Sequence, residues 1–389
     1  MKAIAQVIKK AAKRLLPYSP RRGVRPMRIP EGGKTREGVT CIQVFPPDSF
    51  AFGSYTSLSG DRDFPPYTSE IPEYKMFVIR KGKFISGREE AFSRKGRILE
   101  EISAQKINPL TGKKLDLSPG RHISGTVLML GLSGLENGYY HFMVELLLRW
   151  WIFRTSGMKA DYYVFSSKLP FQKEALGLLG IREPQMLEAE PGTIIQADSL
   201  LCPSLVNNFR LSHLRGHELY EKIHMPRWSK DAYSFLLGKA GYGTEAPDRL
   251  VYVSRNRSAR RRILNEDELL AVLKSYGFET CYLEEMGFAE QMKLFASARI
   301  VVAPHGAGLV NLVWSREGTT VLELYPEFYH DPSFRLLASA MKLDYHYAIC
   351  KSPGADSVAP AEEDIQVDCL NLIDSFLREK TAENRDIPR

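Results

Sequence analysis

From Leu250 to Cys350 the sequence alternates short apolar runs with amphipathic stretches, and this alternation restricts the fold more than any other feature. The apolar runs, rich in Val, Ile and Leu, have the length of strands buried on both faces. They predict strands at Leu250–Ser254, Glu279–Leu283, Ile300–Ala303, Thr320–Leu324 and Tyr345–Cys350. The stretches between them predict helices at Glu266–Tyr276, Ala289–Ala296 and Ser333–Met341. Strands that alternate with helices predict a parallel sheet, so the expected class is α/β.

The run Arg299–Asn311, RIVVAPHGAGLVN, combines a buried strand, a turn of small residues and the start of a helix. Such a junction forms an anion cradle, because the first backbone N–H groups of a helix and its dipole both favour a phosphate. We expect His305 at the mouth of this cradle, with Gly306, Ala307, Gly308 and Leu309 supplying the backbone.

Two further polar features follow predicted strands of the same sheet, at the edge where α/β proteins bind ligands. Ser254–Arg262 is an arginine-rich loop, and guanidinium groups match phosphate oxygens in bidentate geometry. Its alternative interpretation is a solvated surface loop or a membrane-facing patch. Glu323 ends the predicted strand Thr320–Leu324, where a carboxylate can accept hydrogen bonds from ribose hydroxyls or simply form a salt bridge. Together these features favour a nucleotide diphosphate.

Within the first half of the chain, residues 126–203 also alternate predicted strands and helices, which indicates a parallel α/β layer with a long buried helix at Asn137–Arg154. We expect an N-terminal domain at residues 39–240 and a second domain at 249–352, joined by the linker Gly241–Asp248. A C-terminal amphipathic helix at about 365–380 is expected to pack back on either domain.

Asn137, His141 and Glu145 are spaced to share one face of the long helix. A His–carboxylate pair in an apolar helix either satisfies itself within the core or performs proton transfer. The sequence lacks HExxH and a third ligand at helical spacing, so no metal site is predicted.

Residues 1–40 carry eleven Lys or Arg against two Glu, whereas the rest of the chain has 42 basic and 44 acidic residues. Residues 1–16 have helical spacing with lysines between apolar positions, which suits either an anionic membrane surface or a solvated tail, and residues 17–38 read as a tether. The near-neutral body disfavours nucleic acid as a partner. Five scattered cysteines and the lack of a secretory signal predict a cytoplasmic protein. If residues 1–16 bind an anionic membrane surface, the protein would lie on the inner face of the cell membrane.

Four motifs in order resemble glycosyltransferase family 61, the group that includes bacterial capsular polysaccharide biosynthesis proteins. They are ENGYYHFMVELLLRW, YVSRNRSARRRILNEDEL, GFAEQMKLFASARIVVAPHGAGLVNLVW and GTTVLELYP. The resemblance runs from about Thr126 to Pro326 and implies a GT-B architecture, in which two Rossmann-like domains face each other across a cleft. It departs from the family at Phe142 and Glu145, where Trp and Asp are common.

The resemblance implies inverting transfer from a nucleotide sugar to a glycan or glycolipid acceptor of a bacterial surface polysaccharide, commonly without a metal or other cofactor. Carried onto this chain, it assigns the donor diphosphate to Arg255, Arg262 and the turn Gly306–Leu309, with Asn311 beside it, and the nucleoside to Glu323. His141 and Glu145 are expected to act as base and orienter in either order, and His305 to serve the diphosphate or the donor sugar. Two other classes stay open: a non-catalytic scaffold of a polysaccharide assembly, and another nucleotide-sugar-dependent α/β enzyme such as an epimerase.

Overall fold

The computed structural model of the chain describes residues 37–383 except 61–62, 88–89, 103–115, 132–136, 166–168, 208–223, 244–246 and 354–362. The predicted helix at residues 1–16 and nearly all of the predicted tether lie outside the described residues, as does the middle of the predicted linker.

The described strands are β1 (Val39–Phe45), β2 (Asp48–Phe52), β3 (Tyr55–Thr56), β4 (Asp63–Phe64), β5 (Tyr67–Ile71), β6 (Tyr74–Arg80), β7 (Lys83–Ile85), β8 (Glu90–Phe92), β9 (Arg121–Met129), β10 (Tyr162–Val164), β11 (Ile194–Pro203), β12 (Arg249–Val253), β13 (Glu279–Cys281), β14 (Ala298–Pro304), β15 (Thr320–Pro326) and β16 (Asp344–Cys350). The helices are α1 (Tyr139–His141, continued by Phe142–Leu146 and Leu147–Thr155), α2 (Pro170–Leu179), α3 (Ser229–Lys239), α4 (Glu266–Ser275), α5 (Phe288–Ala296), α6 (Ser333–Met341) and α7 (Leu370–Glu383). A 3₁₀ helix covers Ala307–Trp314, and single 3₁₀ turns lie at Glu100–Ile102, Glu183–Gln185 and Leu283–Glu285.

The N-terminal sheet has seven strands and is mixed: the predicted parallel layer is confirmed for β9, β10 and β11, and the earlier strands extend it with antiparallel pairs. Strand β11 pairs antiparallel with β6 and β7 along one edge and parallel with β9 along the other. Strand β1 pairs antiparallel with β6, and β10 pairs parallel with β9. Strands β7 and β8 are joined by only four residues and pair antiparallel, whereas parallel pairing needs a longer crossover.

Helix α1 confirms the buried helix, with a π-helical turn at Phe142–Leu146 in its middle. Residues 142–150 are all buried. Arg149 is fully buried, and its guanidinium donates hydrogen bonds to the carbonyl oxygens of Leu130 and Gly131, at 2.5 and 2.8 Å, and of Pro203 at 3.2 Å. It thereby ties α1 to the ends of β9 and β11.

The C-terminal sheet is fully parallel with the order β13-β12-β14-β15-β16, as the alternation predicts. Its side chains alternate between two cores. On one face Leu250, Tyr252, Ile300 and Val302 pack with residues of α4 and α7. On the other face Val251, Val253, Val301, Ala303 and Val321 join one continuous core with α5, α6, the 3₁₀ helix and α1. That shared core connects the two halves of the molecule.

Helix α7 packs on the C-terminal half. Ile373, Phe376 and Leu377 share a core with Leu269 and Leu273 of α4. The Tyr276 hydroxyl also donates to the Asp374 carboxylate at 2.8 Å. Packing of this helix on the N-terminal domain, one of the two predicted arrangements, is therefore wrong. No helix within the described ranges is both long and apolar enough to cross a membrane.

Candidate functional site

The candidate site lies where the strand order of the C-terminal sheet reverses. The chain passes from β12 outward to β13 and then returns to the other side of β12 as β14. Helices that follow the two central strands consequently leave on opposite faces, and a crevice opens at the carboxyl ends of β12 and β14. The Ser254–Arg262 loop follows β12 and the His305–Gly308 turn follows β14, so the fold brings together two features that lie about fifty residues apart.

Arg255 lies directly over Gly306. A Cβ added at Gly306 would overlap the Arg255 guanidinium, with only 2.7 Å to its Cζ atom. Glycine is required here by this close approach and not by backbone strain, since Gly306 is extended. The Arg255 Nε–H is buried and has no hydrogen-bond partner in the structure. Burial and the neighbouring charges of Arg261 and Arg260 lower the Arg255 pKa to about 10. Arg255 Nη2 donates to the Arg260 carbonyl oxygen at 3.2 Å. A half-buried guanidinium with an unsatisfied Nε–H among like charges would be stabilised by an anion.

Buried Glu266 holds the base of the arginine loop. Its carboxylate accepts hydrogen bonds from the hydroxyls of Tyr252 and Ser254, at 2.8 and 2.6 Å, and from the Asn256 amide. Glu266 begins α4, where its charge also complements the helix dipole. The loop is thus fixed at the end of β12 with Arg255 directed across to Gly306.

The other arginines of the loop are not equivalent. Arg257 pairs with Glu285 and stacks on the Tyr282 ring, 3.8 Å from its centroid. Arg262 points away from the turn and pairs with Asp364 at 2.6 Å. Arg261 instead reaches the turn, because its Nε donates to the His305 carbonyl oxygen at 2.9 Å. The structure therefore brings Arg255 and Arg261 to the predicted cradle, and the placement of Arg262 there is corrected.

The first turn of the 3₁₀ helix completes the cradle. Gly306 lies just before it, Ala307 is exposed, and the Leu309 N–H donates to the Gly306 carbonyl at 2.9 Å. The initial N–H groups of a helix have no acceptor in a preceding turn, so Ala307 and Gly308 present donors at this end. The Leu309 side chain is buried in the core and contributes only backbone here.

Asn311 is a structural residue and not part of the cradle, contrary to its predicted role. It is fully buried, its amide donates to Gln291 Oε1 at 2.8 Å, and its carbonyl accepts from the Tyr139 hydroxyl at 2.7 Å. These bonds connect the 3₁₀ helix to α5 and to α1. Asn311 thereby fixes the position of the cradle relative to the N-terminal half.

Glu323 is fully buried, so the expectation that it binds ribose hydroxyls at an open strand end is corrected. Strand β15 continues to Pro326, and Glu323 therefore lies inside it. One carboxylate oxygen lies 2.5 Å from His305 Nδ1, and the other accepts a 2.6 Å hydrogen bond from the Tyr345 hydroxyl. The result is a buried Tyr–Glu–His chain that ends at the cradle.

His305 is almost fully buried among aromatic rings. Its ring stacks on Tyr325 at 5.1 Å between centroids and contacts Tyr329 and Phe334. Because Nδ1 faces the Glu323 carboxylate, Nε2 is the nitrogen left for a ligand. A histidine fixed by a carboxylate in this way can accept a proton or donate to a developing anion.

Glu145 and His141 have different surroundings on α1: Glu145 is fully buried, whereas His141 is half-buried. Glu145 is fully buried and accepts hydrogen bonds from the Asn207 amide at 2.5 Å and from the Val206 and Asn207 N–H groups at 3.3 and 3.4 Å. Burial outweighs these contacts and raises its pKa to about 8. Glu145 thus stabilises the segment after β11, and its predicted role as base or orienter is not supported by this position.

His141 is half-buried next to the π-helical turn, on the side of α1 that approaches α6. The ring of the adjacent Tyr140 lies 5.5 Å from His141 and 5.9 Å from Phe334, which also contacts His305. Burial lowers the His141 pKa below its usual range, and the nearby charge of Asp331 partly opposes this. Asn137 precedes the helix and does not share its face. In the described part of the chain, no three His, Cys, Asp or Glu side chains are grouped to hold a metal ion.

The sequence profile described as Glycosyltransferase 61 matches residues 139–322, which span α1 to β15 and include His141, Arg255, Arg261 and the His305 turn. Residues 139–322 belong to glycosyltransferase family 61. The resemblance read from the four motifs is confirmed by this match.

Curated relatives align with parts of the same region. A protein O-linked-mannose beta-1,4-N-acetylglucosaminyltransferase 2 of Canis lupus familiaris is 28% identical over 34% of this chain and 24% of its own length. An EGF domain-specific O-linked N-acetylglucosamine transferase of Drosophila melanogaster is 36% identical over 21% of this chain and 17% of its own. A beta-1,2-xylosyltransferase of Oryza sativa subsp. japonica is 28% identical over 25% of this chain and 20% of its own. The chain therefore aligns with about a quarter or less of each relative.

Sequence reasoning missed three residues of the candidate site: Arg261, Asp331 and Tyr345. Arg261 has a left-handed backbone, with φ of 55°, which turns its side chain to the opposite side from Arg262. No pattern within an arginine run signals that reversal. Tyr345 contacts Glu323, and Asp331 lies near His141, only in the folded protein. The spacing of these residues in the sequence does not predict either contact.

Proposed function

We propose that the protein is a glycosyltransferase that uses a nucleotide-sugar donor, with the donor diphosphate bound at the crevice between β12 and β14. The single observation that carries this proposal is the half-buried Arg255 guanidinium over Gly306, beside Arg261 and the first N–H groups of the 3₁₀ helix. Family 61 membership supports the same chemistry. The curated relatives are named for transfer of N-acetylglucosamine or xylose, so these are the first donor sugars to test.

On the donor side, cleavage of the anomeric bond leaves negative charge on the diphosphate. Arg255 and Arg261, together with the N–H groups of Ala307 and Gly308, would stabilise that charge as it develops. His305 would add a hydrogen bond from Nε2, with Glu323 balancing the positive charge of its ring. Arrangement of these groups before the donor arrives lowers the barrier, because little reorganisation is needed during the reaction.

On the acceptor side, we assign the base to His141 and not to Glu145. Inverting transfer needs a base to take the proton of the acceptor hydroxyl as its oxygen attacks the anomeric carbon, while the nucleotide diphosphate leaves from the opposite face. A histidine with a lowered pKa is neutral at pH 7 and can accept that proton. The Asp331 carboxylate, close enough to raise this pKa, would stabilise the imidazolium that forms.

We further propose an architecture, an acceptor, a location and a metal-independent reaction for this glycosyltransferase. The two α/β halves would correspond to the domains of a GT-B enzyme, with His141 on the acceptor half and Arg255 on the donor half. The acceptor would be a glycan or glycolipid of a bacterial surface polysaccharide, and transfer would take place in the cytoplasm without a metal. Retention of activity in excess chelator is the expected result for the last of these points.

A thermal-shift screen followed by a transfer assay tests the proposed function. Purified protein is screened against UDP, GDP, CMP and dTDP sugars, since a ligand that binds only the native state raises the midpoint of unfolding. The stabilising donor is then incubated with glycan acceptors while free nucleotide and product are measured. Selective stabilisation and release of nucleotide are expected. Absence of any nucleotide binding would favour the scaffold alternative, and conversion of the sugar without nucleotide release would favour an epimerase.

A further inference from the structure

The hydroxyl of Tyr345 lies at the far end of the chain of buried groups that reaches His305. Tyr345 stands on β16, next to β15, and its hydroxyl donates to Glu323 Oε2 at 2.6 Å. Glu323 Oε1 lies 2.5 Å from His305 Nδ1. The three residues are each at most 4% exposed, so water does not compete for these bonds.

We propose that Tyr345 is a positioning residue: through Glu323 it holds His305 of the ligand-free protein in the tautomer with Nδ1 protonated. Nε2 is then the nitrogen that takes up a proton from solvent when the donor diphosphate binds, and as part of the imidazolium it donates to the diphosphate. The assignment of Nε2 to the diphosphate rests on the proposed function, whereas the control of the tautomer does not. The catalytic group is His305, and Tyr345 acts on it only through the carboxylate.

The carboxylate needs the tyrosine because both of its oxygens are buried. A buried carboxylate oxygen without a hydrogen-bond donor raises the free energy of the folded state. Without such a donor, the Glu323 carboxylate would rotate or become protonated. Burial and the Glu323 charge raise the Tyr345 pKa well above its usual range, so the hydroxyl keeps its proton and remains a donor. With Oε2 occupied in this way, Oε1 stays directed at Nδ1, and the Nδ1–H tautomer is the one that satisfies it.

Surrounding rings hold Tyr345 in this orientation. The Tyr55 ring meets it edge-on at 5.5 Å, and the Tyr347 ring stacks at 6.4 Å. Tyr55 belongs to β3, in the N-terminal half, so this half of the chain also supports the network. Tyr347 itself offers a matched control, because it lies two residues away on the same strand, is fully buried, and donates its hydroxyl to the Tyr55 carbonyl at 3.4 Å.

The experiment compares Tyr345→Phe with Tyr347→Phe in the full chain. The ligand-free proteins are labelled with ¹⁵N-histidine, His305 is assigned by its loss in His305→Gln, and the protonated nitrogen is identified from the nitrogen chemical shifts. We expect Nδ1–H in the parent and in Tyr347→Phe, and a mixture with Nε2–H in Tyr345→Phe. In transfer assays we expect kcat of Tyr345→Phe to fall about tenfold, the effect of roughly one lost hydrogen bond, while KM for the donor changes little.

A parent protein with Nε2–H at His305, or a Tyr345→Phe spectrum equal to that of Tyr347→Phe, would overturn the proposal. If Tyr345→Phe does not fold, the second variant carries 3-fluorotyrosine at position 345. This residue keeps the hydroxyl, so the variant must show the same His305 tautomer as the parent. The spectrum of the parent alone also decides whether Nδ1 carries the proton. A parent that transfers no sugar would refute the proposed function, yet the tautomer measurement in ligand-free protein would still decide the role of Tyr345.

Discussion

His305 Nδ1 lies 2.5 Å from Glu323 Oε1 where β14 and β15 run side by side, with Ala303 and Glu323 in register. The sequence predicts separate roles for these two residues: His305 at the mouth of the phosphate-binding cradle, and Glu323 as a carboxylate that binds ribose. In the fold they form a single buried unit, in which Nε2 is the ring nitrogen that does not face Glu323. The chemistry of the cradle therefore extends into the sheet and is not confined to the loops above it.

Substitution of Gly306 by Ala should weaken donor binding without unfolding the protein. The added Cβ would overlap the Arg255 guanidinium, which is the flexible end of a side chain and can move aside. Arg255 would then leave the cradle, and we expect the Kd of a nucleoside diphosphate to rise at least about tenfold, as for loss of a charged hydrogen bond. Titration calorimetry checks this. Gly177→Ala, in α2 with nothing within 4 Å of the added Cβ, is the control and should bind as the parent does.

Replacement of His141 by Gln should abolish transfer while donor binding persists. Loss of a general base lowers kcat by about 10²–10⁴-fold. His122→Gln is the control, because His122 lies at the exposed start of β9 and contacts Asp198. In the parent, the acid limb of kcat/KM should have its midpoint below pH 6.5, since burial lowers the His141 pKa. Equal kcat values for the two variants would remove His141 from the mechanism.

Glu145 should make the protein less stable as pH rises. Its pKa is about 8 in the folded chain against 4.5 as an ordinary carboxyl group, so between these values the unfolded chain has released a proton that the folded chain keeps. The free energy of unfolding therefore falls from about pH 4.5 to 8, by at most about 1.4 kcal/mol per pH unit, and then levels off. Urea denaturation at several pH values should show this slope in the parent and a shallower one in Glu145→Gln, which cannot ionise. The variant should retain transfer; identical slopes, or loss of transfer in a folded variant, would contradict this account.

The C-terminal sheet was predictable because strands buried on both faces leave continuous apolar runs, and its five strands appear within a few residues of their predicted bounds. The N-terminal sheet was predictable only in its parallel part, since β11 also takes the antiparallel partners β6 and β7 from much earlier in the chain. Apolar runs reveal a strand but not its neighbours.

The site was predictable to the level of its loops and not of its individual side chains. The arginine loop and the HGAG turn meet as expected because strand order fixes where loops emerge. The choice between Arg261 and Arg262 depends on one left-handed residue, and the role of Glu323 on how far β15 continues beyond it. Both are local backbone events that composition and spacing do not record.

The most direct test of the account compares Arg255→Gln with Arg262→Gln by titration calorimetry with the nucleoside diphosphate of the stabilising donor. Both variants remove one guanidinium from the same loop, but Arg255 lies over Gly306 and Arg262 pairs with Asp364 at the surface. We expect Arg255→Gln to weaken binding by about tenfold or more and Arg262→Gln to bind within about twofold of the parent. Equal binding by the two variants, or a larger loss in Arg262→Gln, would contradict the placement of the donor diphosphate at the crevice between β12 and β14.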